Sequence, residues 1–334
     1  MTARRNLLLT FAVFALLPAS AFGQATARLP VVVWVFASVQ TSDMAGPDPT
    51  SPHARALVHR LRDLGWVDGR NFVLERNGPR DNRERAQAVY ADAVARKVDL
   101  ILAVGSTGGT VTAVDAVRAT RTIPVVFAGG ADPVALGLVT SLARPGGNAT
   151  GVTVGVGEDI VAKRLELIRE ISPRVKRVAY LNPKGSSDDF VREAATRLGI
   201  TLVHAHVESR DQYDQALALV AREKAEAILM GGSSMHYSAA SRIAAFAEER
   251  KLPVASFFPE LVDAGGLLSY GIDLLDLNRR AAEYVDKVLR GAKPADLPVE
   301  QPRKFELVLN QKTARTFGIS IPQSVLLRAD RVVE

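Results

Sequence analysis

Two stretches of this chain repeat one another, and the repeat limits what the chain can fold into. The segment VDLILAVGST at residues 98–107 is matched by AEAILMGGSS at residues 225–234, about 127 positions later. Each copy continues through a helical pattern into an x-Pro-Val segment: Ile123-Pro124-Val125 in the first, Leu252-Pro253-Val254 in the second. A self-similar period fixes an architecture before any motif does. This period is too long for a solenoid unit, and each copy is large enough to close an α/β core of its own. Any two α/β halves share a general grammar; the Gly-Ser at equivalent strand ends is what favours a duplication here.

The flanking pattern agrees. Val31–Phe36 is a continuous apolar, β-branched run of the kind buried on both faces of a parallel sheet. Residues 53–64 place Leu57, Val58, Leu61 and Leu64 on one helical stripe, closed by Gly65. Further strands are predicted over 72–75, 99–104 and 123–128, with helices over 83–96 and 110–119. The alternation resumes with strands over 177–181, 201–207, 227–230 and 253–257, and helices over 188–198, 212–224 and 239–250. Such alternation predicts doubly wound parallel sheets. Two lobes of this kind, joined by hinge segments, predict a cleft between them, because open α/β sheets bind ligands beyond the carboxyl ends of their strands. A ligand that bridges the lobes stabilises a closed form, which is a binding device and requires no chemistry.

The first residues read as a cleavable leader. Arg4 and Arg5 precede an apolar run over residues 7–17, too short to cross a hydrocarbon core of about 30 Å. Ala21-Phe22-Gly23 offers small residues to a signal peptidase, with Ala25-Thr26-Ala27 as a second option; a buried N-terminal helix is the structural alternative. Removal of residues 1–23 leaves about 310 residues, a length that divides into two domains. The chain has no cysteine, which excludes disulfides, cysteine-ligated zinc, a cysteine nucleophile and an N-terminal lipid anchor on cysteine. The formal charge of +6 falls to about +4 without Arg4 and Arg5, and the basic residues are scattered among acids. That distribution suits a solvated surface and not a nucleic-acid interface. No stretch after residue 30 is long and apolar enough to cross a membrane, so no stable insertion is expected once the leader is gone.

Five segments carry a family resemblance: LRDLGWVDGRNFVLE (61–75), VDLILAVGS (98–106), IPVVFAGGADPVALGLVTSLARPGGNATGVT (123–153), KRLELIREISPRVKRVAYLNP (163–183) and the long stretch from AGGLLSYGIDLLDLNRR to TARTFGISIP (264–322). In these the chain resembles the periplasmic substrate-binding proteins of ABC transport systems, the tryptophan/tyrosine-type group, over nearly all of the mature sequence. The resemblance implies a type I periplasmic-binding-protein-like α/β fold with two Rossmann-like lobes and three crossovers. It places the first lobe at 27–153 plus 264–298 and the second at 154–263 plus 299–334. It further implies capture of a small molecule, an amino acid or another small aromatic or anionic solute, by a cofactor-free monomer in the periplasm, and delivery to an ABC permease and ATPase. Residues 40–52, with Asp43, Gly46, Pro47, Asp48 and Pro49, depart from the family pattern where the ligand normally lies, and leave the ligand class open.

The candidate site residues lie at predicted strand ends. Gly105-Ser106-Thr107-Gly108-Gly109 combines glycines, which allow close backbone approach, with hydroxyls and free N–H groups that suit a carboxylate or another anion. Alone it reads as readily as a tight turn with Ser106 or Thr107 as an N-cap; the equivalent Gly231-Gly232-Ser233-Ser234 favours a ligand-facing loop. It is neither a dinucleotide fingerprint nor a Walker A loop. Gly129 and Asp132 end another strand, where Asp132 either accepts a ligand amine or caps the turn ahead of Pro133. Asn182 offers a donor and an acceptor, and Phe257 or Phe258 offers a ring for stacking, with core packing as the alternative for the phenylalanines. Ser38 and Gln40 end the first strand, and Tyr270 stands at a crossover as wall or hinge.

Catalytic readings are thin. His204 and His206 share one face of a strand but have no third metal ligand at a diagnostic spacing, and no G-x-S-x-G elbow is present. An NAD-type α/β enzyme needs glycines after the first strand, where Ala37-Ser38-Val39-Gln40 has none. A DNA-binding regulator on the same core needs a helix-turn-helix where the leader stands. The sequence therefore predicts a binding protein with no metal and no catalytic residue, with an α/β enzyme or a ligand sensor on the same fold as the alternatives.

Overall fold

A computed structural model describes residues 28–80, 82–105, 113–130, 132–154, 157–183, 189–233, 236, 239–302 and 305–334. The leader predicted at 1–23 and the candidate residues Ser106, Thr107 and Ser234 lie outside the described residues.

The first sheet holds five parallel strands: β1 (Val31–Phe36), β2 (Val73–Asn77), β3 (Leu100–Val104), β4 (Val125–Ala128) and β5 (Ala149–Val152), in the order β2-β1-β3-β4-β5. The second sheet repeats that order with β6 (Arg177–Asn182), β7 (Thr201–His206), β8 (Ala227–Met230), β9 (Val254–Ser256) and β10 (Leu268–Ile272), arranged β7-β6-β8-β9-β10. It then adds β11 (Phe305–Asn310), antiparallel to β10, and β12 (Arg331–Val333), parallel to β11. The duplication read from residues 98–107 and 225–234 is thus a duplication of strand order, with β3 and β8 in equivalent places.

Side chains alternate between sheet faces, as the pleat dictates. Val32, Trp34 and Phe36 of β1 enter one core, and Val33, Val35 and Ala37 enter the core on the other face. Helix α1 (Pro52–Asp63) contributes Ala54, Leu57 and Leu61 to the first of these cores; α2 (Arg83–Ala95) and α3 (Ala113–Ala119) cover the opposite face. On the second sheet α4 (Gly157–Ile171) and α5 (Asp189–Leu198) lie on one face, and α6 (Tyr213–Arg222), α7 (Ala240–Arg250) and α8 (Pro259–Asp263) on the other. Helix α9 (Leu274–Leu289) packs beside α1 on the first sheet, while α10 (Gln311–Phe317) and α11 (Gln323–Leu326) return to the second. Helix starts are capped locally: Ser51 Oγ accepts from Ala54 N at 3.4 Å ahead of Pro52, and Asp273 Oδ1 accepts from Asp276 N at 2.9 Å.

The chain passes between the sheets after β5, at Asp273, and between residues 300 and 305. The return to the first lobe, expected at residue 264, therefore falls later. Residues 268–272 pair parallel with β9, Leu268 opposite Ala255, and antiparallel with β11, so they belong to the second sheet. Beyond α9, Glu300 still belongs to the first sheet: its N donates to Gly151 O at 3.0 Å, and its O accepts from Thr153 N at 2.9 Å.

Trp34 is fully buried in β1, and its Nε1 has no hydrogen-bond partner among the described residues. Trp34→Ala should lower the unfolding free energy by about 3–5 kcal/mol. Trp34→Phe should cost less than half of that, because it also deletes a buried, unsatisfied N–H. Urea denaturation of the three proteins measures both values.

Candidate ligand-binding site

In a sheet of order 2-1-3-4-5 the connections diverge at the boundary between the first and third strands, and a crevice opens beyond their carboxyl ends. Here that boundary lies between β1 and β3 in one sheet and between β6 and β8 in the other. In the first sheet two of the described strand ends, those of β3 and β4, run into glycines. Gly105 has φ +143°, and a Cβ there would lie 2.4 Å from Ala37 Cβ; Gly129 has φ +127°, and a Cβ there would lie 2.1 Å from Gly105 O. Both positions need glycine for conformation and for space.

The second sheet supplies side chains. Asn182 ends β6 fully buried, beside Gly231. Gly232 and Ser233 follow β8, with Ser233 buried. Phe257 follows β9 and meets the edge of Phe258 at 5.2 Å. Both phenylalanines pack in one apolar cluster with Phe36, Val104 and Ala128, which end strands of the first sheet. One apolar cluster thus spans the carboxyl ends of the two sheets. Ion-pair geometry joins them as well: His53 Nε2 of α1 lies 2.9 Å from Glu260 Oε1 of α8. Tyr270, half-buried in β10, stacks on Phe305 at 6.0 Å and touches the cores of both sheets.

Ser38 and Gln40 line a cavity of about 410 Å³ with Val39, Asp43, Thr50, Ser51, Pro52 and Arg80, which all follow strands of the first sheet, and with Arg210, which follows β7. The atypical segment after β1 forms a turn of 3-10 helix, Thr41–Met44, whose Met44 is buried. Asp132 caps a turn. It is exposed, and its Oδ1 accepts from Val134 N at 2.9 Å and Ala135 N at 3.0 Å, the turn-capping role that the sequence had left open.

One residue that the sequence reading passed over dominates the electrostatics. Arg164 of α4 is 1% exposed. Its Nη1 donates to Met230 O at 2.7 Å, its Nε donates to Ile160 O at 3.4 Å, and its guanidinium lies 5.6 Å from the centre of the Phe257 ring. It has no acidic partner among the described residues. Burial lowers its pKa to about 10, so it remains charged at neutral pH. Beneath the ends of β8 and β9 there is therefore a desolvated positive charge with main-chain carbonyls and a ring face around it. The signal was present in the sequence: Arg164 occupies the apolar stripe of Ile160, Val161, Leu165, Ile168 and Ile171, where a charge is out of place. His236, also fully buried, hydrogen-bonds Tyr213 Oη through Nδ1 at 2.7 Å. Burial pushes its pKa down to about 4, with the charge of Arg164 acting in the same direction.

A fold of two such sheets hosts several functions, and comparison with known proteins separates them. The sequence model of the family described as ABC transporter substrate binding protein matches residues 52–333. The chain belongs to that family. Like its relatives, this substrate-binding protein is a binder of small molecules that serves ABC transporters, and the family is not one of enzymes. A tyrosine-binding protein of Clostridioides difficile (strain R20291) is 26% identical over 270 residues, 79% of this chain and 76% of that protein. A conserved domain protein from Vibrio cholerae superposes with a TM-score of 0.79 at 28% identity, covering 91% of this chain and 99% of the other. An ABC domain from Streptococcus pneumonia in complex with L-Trp gives 0.78 at 27% identity, with the same coverage. A myo-inositol-bound solute-binding protein from Bacillus halodurans, at 14% identity and a TM-score of 0.57, shares the type I two-lobed fold alone. Among the described residues the substrate-binding protein has no helix long and apolar enough to cross a membrane, and no cluster of side chains that would hold a metal.

The buried imidazole gives a pH signature. Between about pH 6.5 and 4 the unfolded chain binds a proton at His236 that the folded protein refuses, so stability rises with pH across that window and falls on acidification. The loss between the two ends should approach about 3 kcal/mol. His236→Gln should show a correspondingly shallower dependence, measured by urea unfolding at pH 7 and at pH 4.5.

Proposed function

We propose that this protein is the extracytoplasmic receptor of an ABC importer and that it closes as a monomer around one amino-acid-like solute. The observation that carries the reading is Arg164, a guanidinium held out of water at the strand ends with no acidic partner among the described residues. An isolated buried charge is costly unless paired. A solute carboxylate supplies the missing partner, and the Phe257 ring beside it supplies a surface for an aromatic or apolar side chain. The tyrosine-binding relative and the neighbour solved with L-Trp support the same solute class. The lobes in this reading are residues 28–153 with 273–300, and 157–272 with 305–334. They hinge at the three crossings and deliver the solute to a permease and its ATPase. Residues 1–23 act as the leader that takes the chain across the inner membrane into the periplasm.

Arg164 separates binding from folding. Arg164→Met should reduce affinity for L-tyrosine or L-tryptophan by at least about 30-fold, since removing one member of a buried charge pair costs 2–5 kcal/mol. The melting temperature of the solute-free protein should hold or rise, because a buried charge without an acidic partner among the described residues is replaced by an apolar chain of similar reach. Calorimetry with each amino acid and thermal unfolding without it read the two effects. Loss of stability with unchanged affinity would assign Arg164 to the scaffold.

The leader is tested in a Gram-negative host. The protein should be recovered outside the inner membrane with a new N-terminus near Gln24 or Arg28, read by mass spectrometry of the intact chain. Cytoplasmic recovery with residues 1–23 attached would remove the extracytoplasmic assignment.

A further inference from the structure

A second cavity, of about 350 Å³, lies against the first sheet, between the later half of α1, the edge strand β2 and the loop that joins them. It shares no lining residue with the cavity at Ser38 and Gln40. Phe72 and Leu74, at the amino end of β2, place it away from the strand carboxyl ends. Its volume is that of a small-molecule pocket, and about twice that of a dry apolar cavity that accepts benzene.

The floor is apolar. Leu61, Phe72 and Leu74 are buried, and Val58 and Trp66 form half-buried walls. Val67, at the mouth, is 39% exposed, one of the large apolar side chains that the protein leaves in water. Gly46, also at the mouth, turns with φ +73°, and a Cβ there would meet nothing within 4 Å, so the space beside it is open. The walls are fixed before anything binds. Trp66 Nε1 donates to Asp286 Oδ1 of α9 at 2.8 Å, and its ring meets Phe72 edge-on at 5.7 Å. The joining loop is tied to itself: Val67 N donates to Asn71 Oδ1 at 2.8 Å, and Asn71 Nδ2 donates to Gly65 O at 2.7 Å. A preformed apolar surface loses little binding energy to its own ordering.

Charge at the mouth is uneven. Arg76 is engaged: its Nη1 donates to Asp68 Oδ2 at 2.6 Å and to Leu74 O at 3.1 Å. Arg62 is exposed and loosely held. Its one ion-pair contact among the described residues, to Asp48, is 4.0 Å long, and the same Asp48 oxygen lies 2.6 Å from His59 Nε2. An apolar floor below a loosely held cation matches an amphiphile with a negative end. The apolar body leaves water for the floor, and a carboxylate meets the fork of the guanidinium. We infer that this cavity is a second binding site, for a small aromatic or aliphatic acid whose body lies among Leu61, Trp66 and Phe72 with its carboxylate at Arg62. The site is separate from Arg164 and does not rest on the proposed receptor function.

Calorimetry of the full mature chain with 2-naphthoate tests the site, with L-tyrosine present in excess to fill the cleft. Arg164→Met, which removes the cation of the proposed cleft site, separates the two places. Wild type and Arg164→Met should bind 2-naphthoate with equal affinity. Val58→Trp, which fills the cavity, should weaken binding at least about tenfold. Arg62→Gln should weaken it about threefold, the worth of an exposed ion pair, and the neutral 2-naphthamide should bind wild type and Arg62→Gln alike. Thermal unfolding without ligand shows whether Val58→Trp is folded; if it is not, Arg62→Gln and the amide comparison decide. No binding of 2-naphthoate overturns the site, as does binding that is lost in Arg164→Met and unchanged in Val58→Trp. A dimer in sedimentation that Val58→Trp dissolves would give the cavity to a second copy of the chain and overturn it as well. Failure of L-tyrosine to bind removes the proposed solute class by itself; the cavity site then stands or falls on Val58→Trp and Arg62→Gln in the Arg164→Met background.

Discussion

Ten strands, β1–β5 and β6–β10, pair in parallel within their two sheets, and parallel pairing governs nearly everything else in the molecule. A parallel pair needs a crossover, here mostly helical, and the crossovers cover both sheet faces. The strands are then buried on both sides, which is why β1, β3, β4 and β8 are almost uninterrupted Val, Ile, Leu and Ala. With the faces occupied, the strand ends are what remains for a polar ligand, and parallel direction puts all carboxyl ends of a sheet on one side. Duplicating the order 2-1-3-4-5 gives two such ends, and one apolar cluster that holds Phe257 and Phe258 together with Phe36, Val104 and Ala128 spans them.

The placement of charge follows from that packing. Arg164 arrives on α4, the first helix after the chain changes sheet, and its side chain runs into the core beneath β8 and β9. The desolvation penalty of a buried ion amounts to several kcal/mol even after relaxation. The Met230 and Ile160 carbonyls and the Phe257 ring offset part of it, since carbonyl dipoles and a ring face both attract a cation. None of these carries a full negative charge, so a positive potential survives in a place of low dielectric, where an arriving anion is bound strongly. His236 fits the same logic. Burial keeps its imidazole neutral near pH 7, so it adds no second positive charge beside Arg164.

Much of this was legible in the sequence, because burial on both faces leaves long apolar runs and duplication leaves equivalent glycines. Val31–Phe36, Leu100–Val104 and Ala227–Met230 are strands as the runs predicted. What escaped depends on partners distant in the chain. The strand β5, Ala149–Val152, holds four residues of mixed character, and its pairing with β4 gives it strand form. The strand β10 reads as apolar, but its membership in the second sheet depends on Ala255 and Leu309 beside it. Site residues divided in the same way. Strand-end glycines and Asn182 could be found from position alone, whereas Arg164 required noticing a charge on an apolar stripe.

Scaffold and specificity are carried by different parts of the chain. The glycines at the strand ends, Gly105 and Gly129, cannot accept side chains without moving backbone, so in the proposed reading that floor is a fixed surface shared by any ligand. The segment after β1 is under no such restraint. It departs from the family pattern, folds as the turn Thr41–Met44, anchors through Met44 and the Ser51 cap, and leaves Gln40, Asp43 and Thr50 facing the chamber that Arg80 and Arg210 share. A loop can change its exposed polar groups there at little cost to stability, because its core contacts are made by other residues, Val39 and Met44 among them. Change confined to such a segment alters which end groups fit the chamber and leaves the buried cation on the opposite sheet in place. In the proposed reading Arg164 therefore defines the class of solute, and the loop after β1 selects within that class.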